Sequence, residues 1–322
     1  MENKRELLAS IESFSRITKT SVSVLKEMKD SIDKVHKVKS IVKGAGLFAS
    51  IAGGALVIGA IGASFFTGGA SLVALTGAGT ILSLGGGVAN ISADVFNIIY
   101  SKIKNSNLEE IVEKRKNAAE RFCRNMTEIR KIVKILKDAD RDLSEEDASE
   151  IAMTAYMIGY NAANFENEFS KIKNTFNEIK KNGINRKTAW ILAVYAIKEG
   201  KTVYDVISSS KTILDNFGTL SKFCKGKTLY SGLLRNGGMF WKNMRLVSET
   251  MVTILKIGKK TAMTIVKGST IAISGFFMGL EIKDFINTCK ENHPISNAIS
   301  KLLETMEKEI EVLKSLHDVV SV

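Results

Sequence analysis

Metal or nucleophile chemistry in this chain would have to be built from three histidines and three cysteines, and their spacing supports neither. His36, His293 and His317 stand far apart, none with a second His or a Cys at ligand distance along the chain. Cys123, Cys224 and Cys289 are an odd number at wide intervals, which is neither a disulfide framework nor a metal set and fits a reducing compartment. Two Gly-rich strings match nucleotide sites in letters only. Gly44-Ala45-Gly46-Leu47-Phe48-Ala49 has the dinucleotide spacing, but that motif needs a preceding strand and an acid about 20 residues on. No acid appears before Asp94. Gly226-Lys227-Thr228 ends like a P-loop, yet Ser221 stands where that loop requires glycine. No nucleophile elbow or HExxH pair is present. The expectation is a protein that is not an enzyme and uses no cofactor.

The chemistry these residue types do favour is that of a charged and apolar interface. Residues 219 to 267 carry ten Lys or Arg against one Glu, and so supply most of the chain's net charge of +12. Phe240-Trp241 lies inside this block, flanked by Arg235, Lys242 and Arg245. Basic and aromatic residues together suit the headgroup region of an anionic membrane. The candidate lipid contacts are Lys222, Lys225, Lys227, Arg235, Trp241, Lys242, Arg245, Lys256, Lys259 and Lys260. The plainer reading is a solvated charged face with one buried Trp. Nucleic acid is not expected as a partner, because the basic residues accompany apolar stretches and no recognised nucleic-acid motif is present.

A membrane partner needs an element that can enter lipid, and residues 44 to 93 have that composition. They run fifty residues without a formal charge and hold thirteen of the chain's 25 glycines. Polar and glycine residues interrupt the run at Ser64-Phe65-Phe66-Thr67-Gly68-Gly69, which allows a reversal at Thr67, Gly68 and Gly69. Two apolar arms of roughly 20 residues remain, the length a helix needs to cross ~30 Å of hydrocarbon. Leu47, Ile51, Leu56, Ile58, Ile61, Phe65, Phe66, Leu72, Leu75, Ile81 and Leu84 are the candidate insertion residues. Small residues recur every fourth position, as in Ala45, Ala49 and Gly53 or Ala70, Ala74 and Ala78, and form ridges on which two helices approach closely. Glycine costs a helix in water ~1 kcal/mol per residue relative to alanine. The arms therefore need packing, from protein or from lipid, to be helical. A second apolar stretch, residues 268 to 280, is only marginally long enough to span.

The remainder must supply the elements that position or cover this hairpin. One proline, Pro294, and little β-branched alternation make long helices the default. Residues 1 to 43 fit one or two amphipathic helices, with Leu7, Leu8, Ile11, Phe14 and Ile17 at helical steps. Ser106 with Glu109 predicts a capping box for a helix over 106 to 142. Ser144 predicts the N-cap of a helix running on to Asn182-Gly183, with Tyr156, Tyr160, Phe165, Phe169 and Phe176 as core. Shorter helices fill 186 to 217, punctuated by Gly200 and Gly218. After Pro294, the stripe Ile299, Leu303, Met306, Ile310 and Leu313 predicts a last helix.

The expected fold class is all-α, a multi-helix bundle of long amphipathic helices around a Gly/Ala-rich hydrophobic hairpin. Its segments are 1–43 (amphipathic helices), 44–101 (insertion hairpin), 102–218 (amphipathic helical region), 219–267 (basic, membrane-facing) and 268–322 (apolar segment and terminal helix). The N-terminus has charges every few residues and no apolar core, so no signal peptide is expected. The expected location is cytoplasmic, conditionally membrane-associated, and the sequons at Asn90 and Asn125 are chance matches.

Ile32-Asp33-Lys34-Val35-His36-Lys37, just ahead of a Gly/Ala-rich hairpin with Phe66-Thr67-Gly68-Gly69-Ala70-Ser71-Leu72 at its turn, resembles the apolipoprotein L family. Ser274-Gly275-Phe276-Phe277-Met278-Gly279-Leu280-Glu281-Ile282 and the terminal helix are similar to that family's C-terminal part. Phe66 replaces a proline common there, and Gly68 an acid that some members carry, which puts acid-triggered insertion through that residue in question. The resemblance implies a helical lipid-binding protein that inserts in membranes and conducts ions or lyses them, in the manner of pore-forming colicins. It also implies a role in innate immunity or cell death, or in lipid transport. Anionic phospholipid is the expected partner, and self-association on insertion stays open. The alternatives are a non-permeabilising membrane scaffold or remodelling protein, and a bacterial-type pore toxin.

Overall fold

The computed structural model describes residues 2–40, 108–218 and 295–321. They form an all-α protein, with no strand among the described residues. The helices in chain order are α1 (Glu2–Ser40), α2 (Leu108–Ala139), α3 (Glu145–Met157), α4 (Ala162–Lys181), α5 (Arg186–Glu199), α6 (Val203–Ser208), α7 (Ser210–Asp215) and α8 (Ile295–Ser321). The chain divides into two compact units, each gathering distant segments: Met1–Glu12, Arg121–Arg235 and Val312–Val322 make the first, Ser13–Glu120 and Asn236–Glu311 the second.

In the first unit, α5 is the central element. Its run Ala189-Trp190-Ile191-Leu192-Ala193-Val194 is buried on every face, because a helix apolar all round has no side to give to water. At 14 residues it is a core helix and too short for a membrane span. Against it packs α4, whose Phe165, Ile172, Phe176 and Ile179 are buried, with Phe169 half-buried beside them and most of the remaining residues facing solvent. Trp190 is fully buried between Phe176 (centroids 4.2 Å, 13° between planes) and Phe169 (5.9 Å, 15°). Its indole N–H donates to Asp140 Oδ2 at 3.0 Å, and the other oxygen of Asp140 holds Arg186. A polar tip thus finds a partner while the ring fills the core.

Ser144 caps α3 as expected, its hydroxyl accepting from the Asp147 N–H at 3.0 Å. The helix predicted to run from there to Asn182 is instead two. Gly159, at φ 105°, ends α3 with the Tyr160 N–H bonded to Ala155 O at 2.9 Å and its own N–H to Tyr156 O at 3.0 Å. That six-to-one and five-to-two pair is a Schellman stop, and a left-handed φ is strain-free only for glycine. Asn161 then caps α4 by accepting from Asn164 N–H at 2.8 Å. Gly183 and Gly200, with φ of 80° and 63°, close α4 and α5 in the same left-handed region.

The described part of the second unit consists of residues 13–40 of α1, 108–120 of α2 and 295–311 of α8. Phe14, Leu25, Ala119, Leu303 and Met306 are buried there, so the residues at helical spacing along α1 do form one face, within a single 39-residue helix. The α8 stripe departs from expectation. Met306 and Leu313 are buried, but Ile310 is only half-buried and Glu309 is 1% exposed.

Candidate functional site

The segments nominated for lipid lie outside the described residues. This holds for every insertion and turn residue from Leu47 to Leu84, for every lipid-contact candidate from Lys222 to Lys260, for the 268 to 280 stretch, and for Ser106 and Pro294. The described residues reach those segments at Ser40 and Leu108 on one side and at Gly218 and Ile295 on the other. Among the described residues no helix is long and apolar enough to cross a membrane, and no group of His, Cys, Asp or Glu forms a metal site. Cys123 is buried on α2, and His317 Nε2 stands 3.2 Å from Glu12 Oε1 at the surface.

What the second unit does bring together is a buried charged cluster. Arg115 of α2 and Glu309 of α8 are 0% and 1% exposed, with Nη2 2.5 Å from Oε2. The guanidinium carbon lies 5.2 Å over the Phe14 ring of α1. Burial lowers the pKa of Arg115, and the charge and hydrogen bond of Glu309 oppose that shift. Guanidinium remains charged in proteins, so this is an ion pair held out of water. It is incompletely satisfied, because Arg115 Nε and Nη1 have no hydrogen-bond partner. Neither has Thr18 Oγ1, buried one helical turn beyond Phe14. By contrast, the Lys26–Glu307 pair between α1 and α8, at 2.7 Å, is half exposed and contributes at most about 1 kcal/mol.

The first unit buries polar groups differently. Tyr156 O–H donates to Asn125 Oδ1 at 3.0 Å, Asn125 Nδ2 to Ser10 Oγ at 3.0 Å, and Ser10 O–H to Leu7 O at 2.7 Å. This chain ties α1, α2 and α3 with every link made, and it leaves the Asn125 amide, 5% exposed, no room for a glycan. Burial, helped by the negative charges of Glu6 and Glu128, pushes the Tyr156 hydroxyl up to about 12. Tyr160 is raised as well, by burial and by its hydrogen bond to Glu168.

A tyrosine whose folded pKa exceeds its unfolded value of about 10 favours the fold while protonated. Its contribution is complete below pH ~10 and is lost as pH rises toward the folded value. The thermal midpoint should therefore fall between pH 10 and 12, and fall less steeply in Tyr156→Phe. At neutral pH that variant should lose about 1–3 kcal/mol in a denaturant titration, because Asn125 Oδ1 is left buried without its donor. Equal pH slopes in the two proteins would refute the assignment.

Neither Arg115 nor Glu309 was nominated from the sequence, and a positional signal for both exists. Arg115 lies four residues after Ile111 and four before Ala119, and Glu309 three after Met306 and four before Leu313. Each is a charge set in the apolar stripe of its helix.

No family model, curated protein or solved structure matches this chain.

Proposed function

We propose that this protein binds lipid and inserts residues 44 to 93 into anionic membranes as a helical hairpin, permeabilising them or forming ion-conducting pores. The reading places it beside the apolipoprotein L family as an innate-immunity or cell-death effector, cytoplasmic until it meets its membrane. The carrying observation is the absence of any formal charge over those fifty residues, since a charge at a helix centre costs about 3 kcal/mol on insertion scales. Two features of the fold support it. No described helix can span a membrane, so spanning would fall to residues the described helices bracket. The Trp190 core and the Tyr156–Asn125–Ser10 network are built from residues outside 44 to 93, so insertion would not have to break these contacts.

Vesicles of phosphatidylserine and phosphatidylcholine loaded with a quenched dye test the reading. Release is expected at protein concentrations where binding saturates, and dye retained at saturation would leave lipid association alone. Replacing Lys256, Lys259 and Lys260 by Gln should weaken binding to these vesicles by about 100-fold, at ~1 kcal/mol per surface lysine, and leave binding to neutral vesicles unchanged. A second reading, a non-permeabilising membrane scaffold or lipid-transport protein, is favoured by the length and one-sided burial of α1, which suit a helix lying in the headgroup plane.

A further inference from the structure

We propose that the Arg115–Glu309 ion pair is a latch, which sets the register of α2 against α8 while leaving the second unit easy to open. The proposal rests on the membrane reading for one of its readouts and on the fold for the others.

Buried polar groups are ordinarily paired, because a donor or acceptor taken from water without a partner keeps the full cost of its desolvation. The orphaned side-chain atoms among the described residues are Thr18 Oγ1, Arg115 Nε and Arg115 Nη1. All three belong to the second unit, and Arg115 sits over Phe14, one turn from Thr18. The first unit buries Tyr156, Asn125 and Ser10 in a network with no broken link. Among the described residues, imperfect satisfaction is thus confined to the second unit, whose helices α1 and α2 flank residues 44 to 93 in the sequence.

The consequence follows from what each arrangement costs. A misregistered α2–α8 contact strands two buried charges, which is worse than the native pair, so the latch is specific. The native pair is itself poorer than matched apolar side chains, because two guanidinium nitrogens find no hydrogen-bond acceptor in the protein. Once the helices part, water satisfies every one of these groups. Opening therefore recovers hydration that closure never replaced, and the closed state is held in register without being held tightly.

The full chain carrying Arg115→Met with Glu309→Leu tests this against the two single variants. Each single change should lower the thermal midpoint, because it removes one half of a buried ion pair and leaves the other charge without that counter-charge. The double variant should raise it above wild type by roughly 2–8 °C. With phosphatidylserine vesicles the double variant should bind as wild type does and release dye at least about tenfold more slowly. A double variant with a lowered midpoint, or a stabilised one that releases dye at the wild-type rate, overturns the latch. Amide exchange on the wild-type protein gives a measurement free of any substitution. Within α2, amides of residues 113–119 should exchange at least about tenfold faster than those of 122–128, and equal protection refutes the proposal. If wild type releases no dye, the permeabilisation reading fails, while the midpoints and the exchange rates still decide the latch.

Discussion

Replacing Ile58 and Ile61 by Asp is expected to abolish dye release from anionic vesicles while leaving surface binding in place. Both residues fall near the middle of the first apolar arm, ten and seven residues before Gly68 on the same run. An aspartate at the centre of a spanning helix costs about 3 kcal/mol, and two of them close to 6 before the lost isoleucines are counted. At 1.4 kcal/mol per factor of ten, the inserted population falls by about 10⁴, which takes release below detection. Binding depends on the lysines and arginines of residues 219 to 267, which these substitutions leave intact, and whose attraction to anionic lipid is additive and salt-sensitive. A scaffold that never inserts the hairpin would respond little in either assay. Release at the wild-type rate from the double aspartate would sink the insertion mechanism. Loss of both binding and release would instead assign membrane contact to the apolar arm and not to the basic block.

The largest effect on stability is expected at Trp190. Trp190→Ala removes a fully buried indole stacked between Phe169 and Phe176, and it leaves Asp140 without one of its two partners. Deleting a buried aromatic costs about 3–5 kcal/mol, through lost transfer energy and through the cavity that rigid neighbours do not fill. α5 is buried on every face, so little can collapse into the void, and the upper part of that range is expected. Trp190→Phe keeps a ring in the stack and loses the N–H donor, for a smaller cost of about 1–3 kcal/mol. Urea titrations followed by circular dichroism at 222 nm read both, and are preferable to fluorescence because Trp241 is the only other tryptophan. A change below about 1 kcal/mol for the alanine variant would mean that the first unit does not depend on α5 as its centre.

Much of the fold was legible from spacing. Leu7, Ile11 and Phe14 recur at three- and four-residue steps and are fully buried along α1, because a 3.6-residue period puts them on one side. Ser144 and Gly200 announced a helix start and a helix stop, since each supplies a group or a conformation that the local backbone needs. The break inside 144–182 does not show in the helical period, although Gly159-Tyr160-Asn161 holds both halves of the signal, a left-handed stop followed by an N-cap. Continuous apolar periodicity across the break masked it.

By itself, the sequence determined the helical class, the buried face of α1, and the contrast between a charge-free stretch and a basic block, because composition and period are local properties. Pairing is not local. That Trp190 stacks on Phe176 and donates to Asp140, and that Tyr156 reaches Ser10 through Asn125, depends on which helices meet. The same is true of Arg115 and Glu309. An arginine on α2 and a glutamate on α8, 194 residues apart, each read as an ordinary charge of an amphipathic helix. Only their meeting in a place without water makes the pair costly, and only the tertiary structure shows that two of the guanidinium's donor atoms are left with nothing to bind.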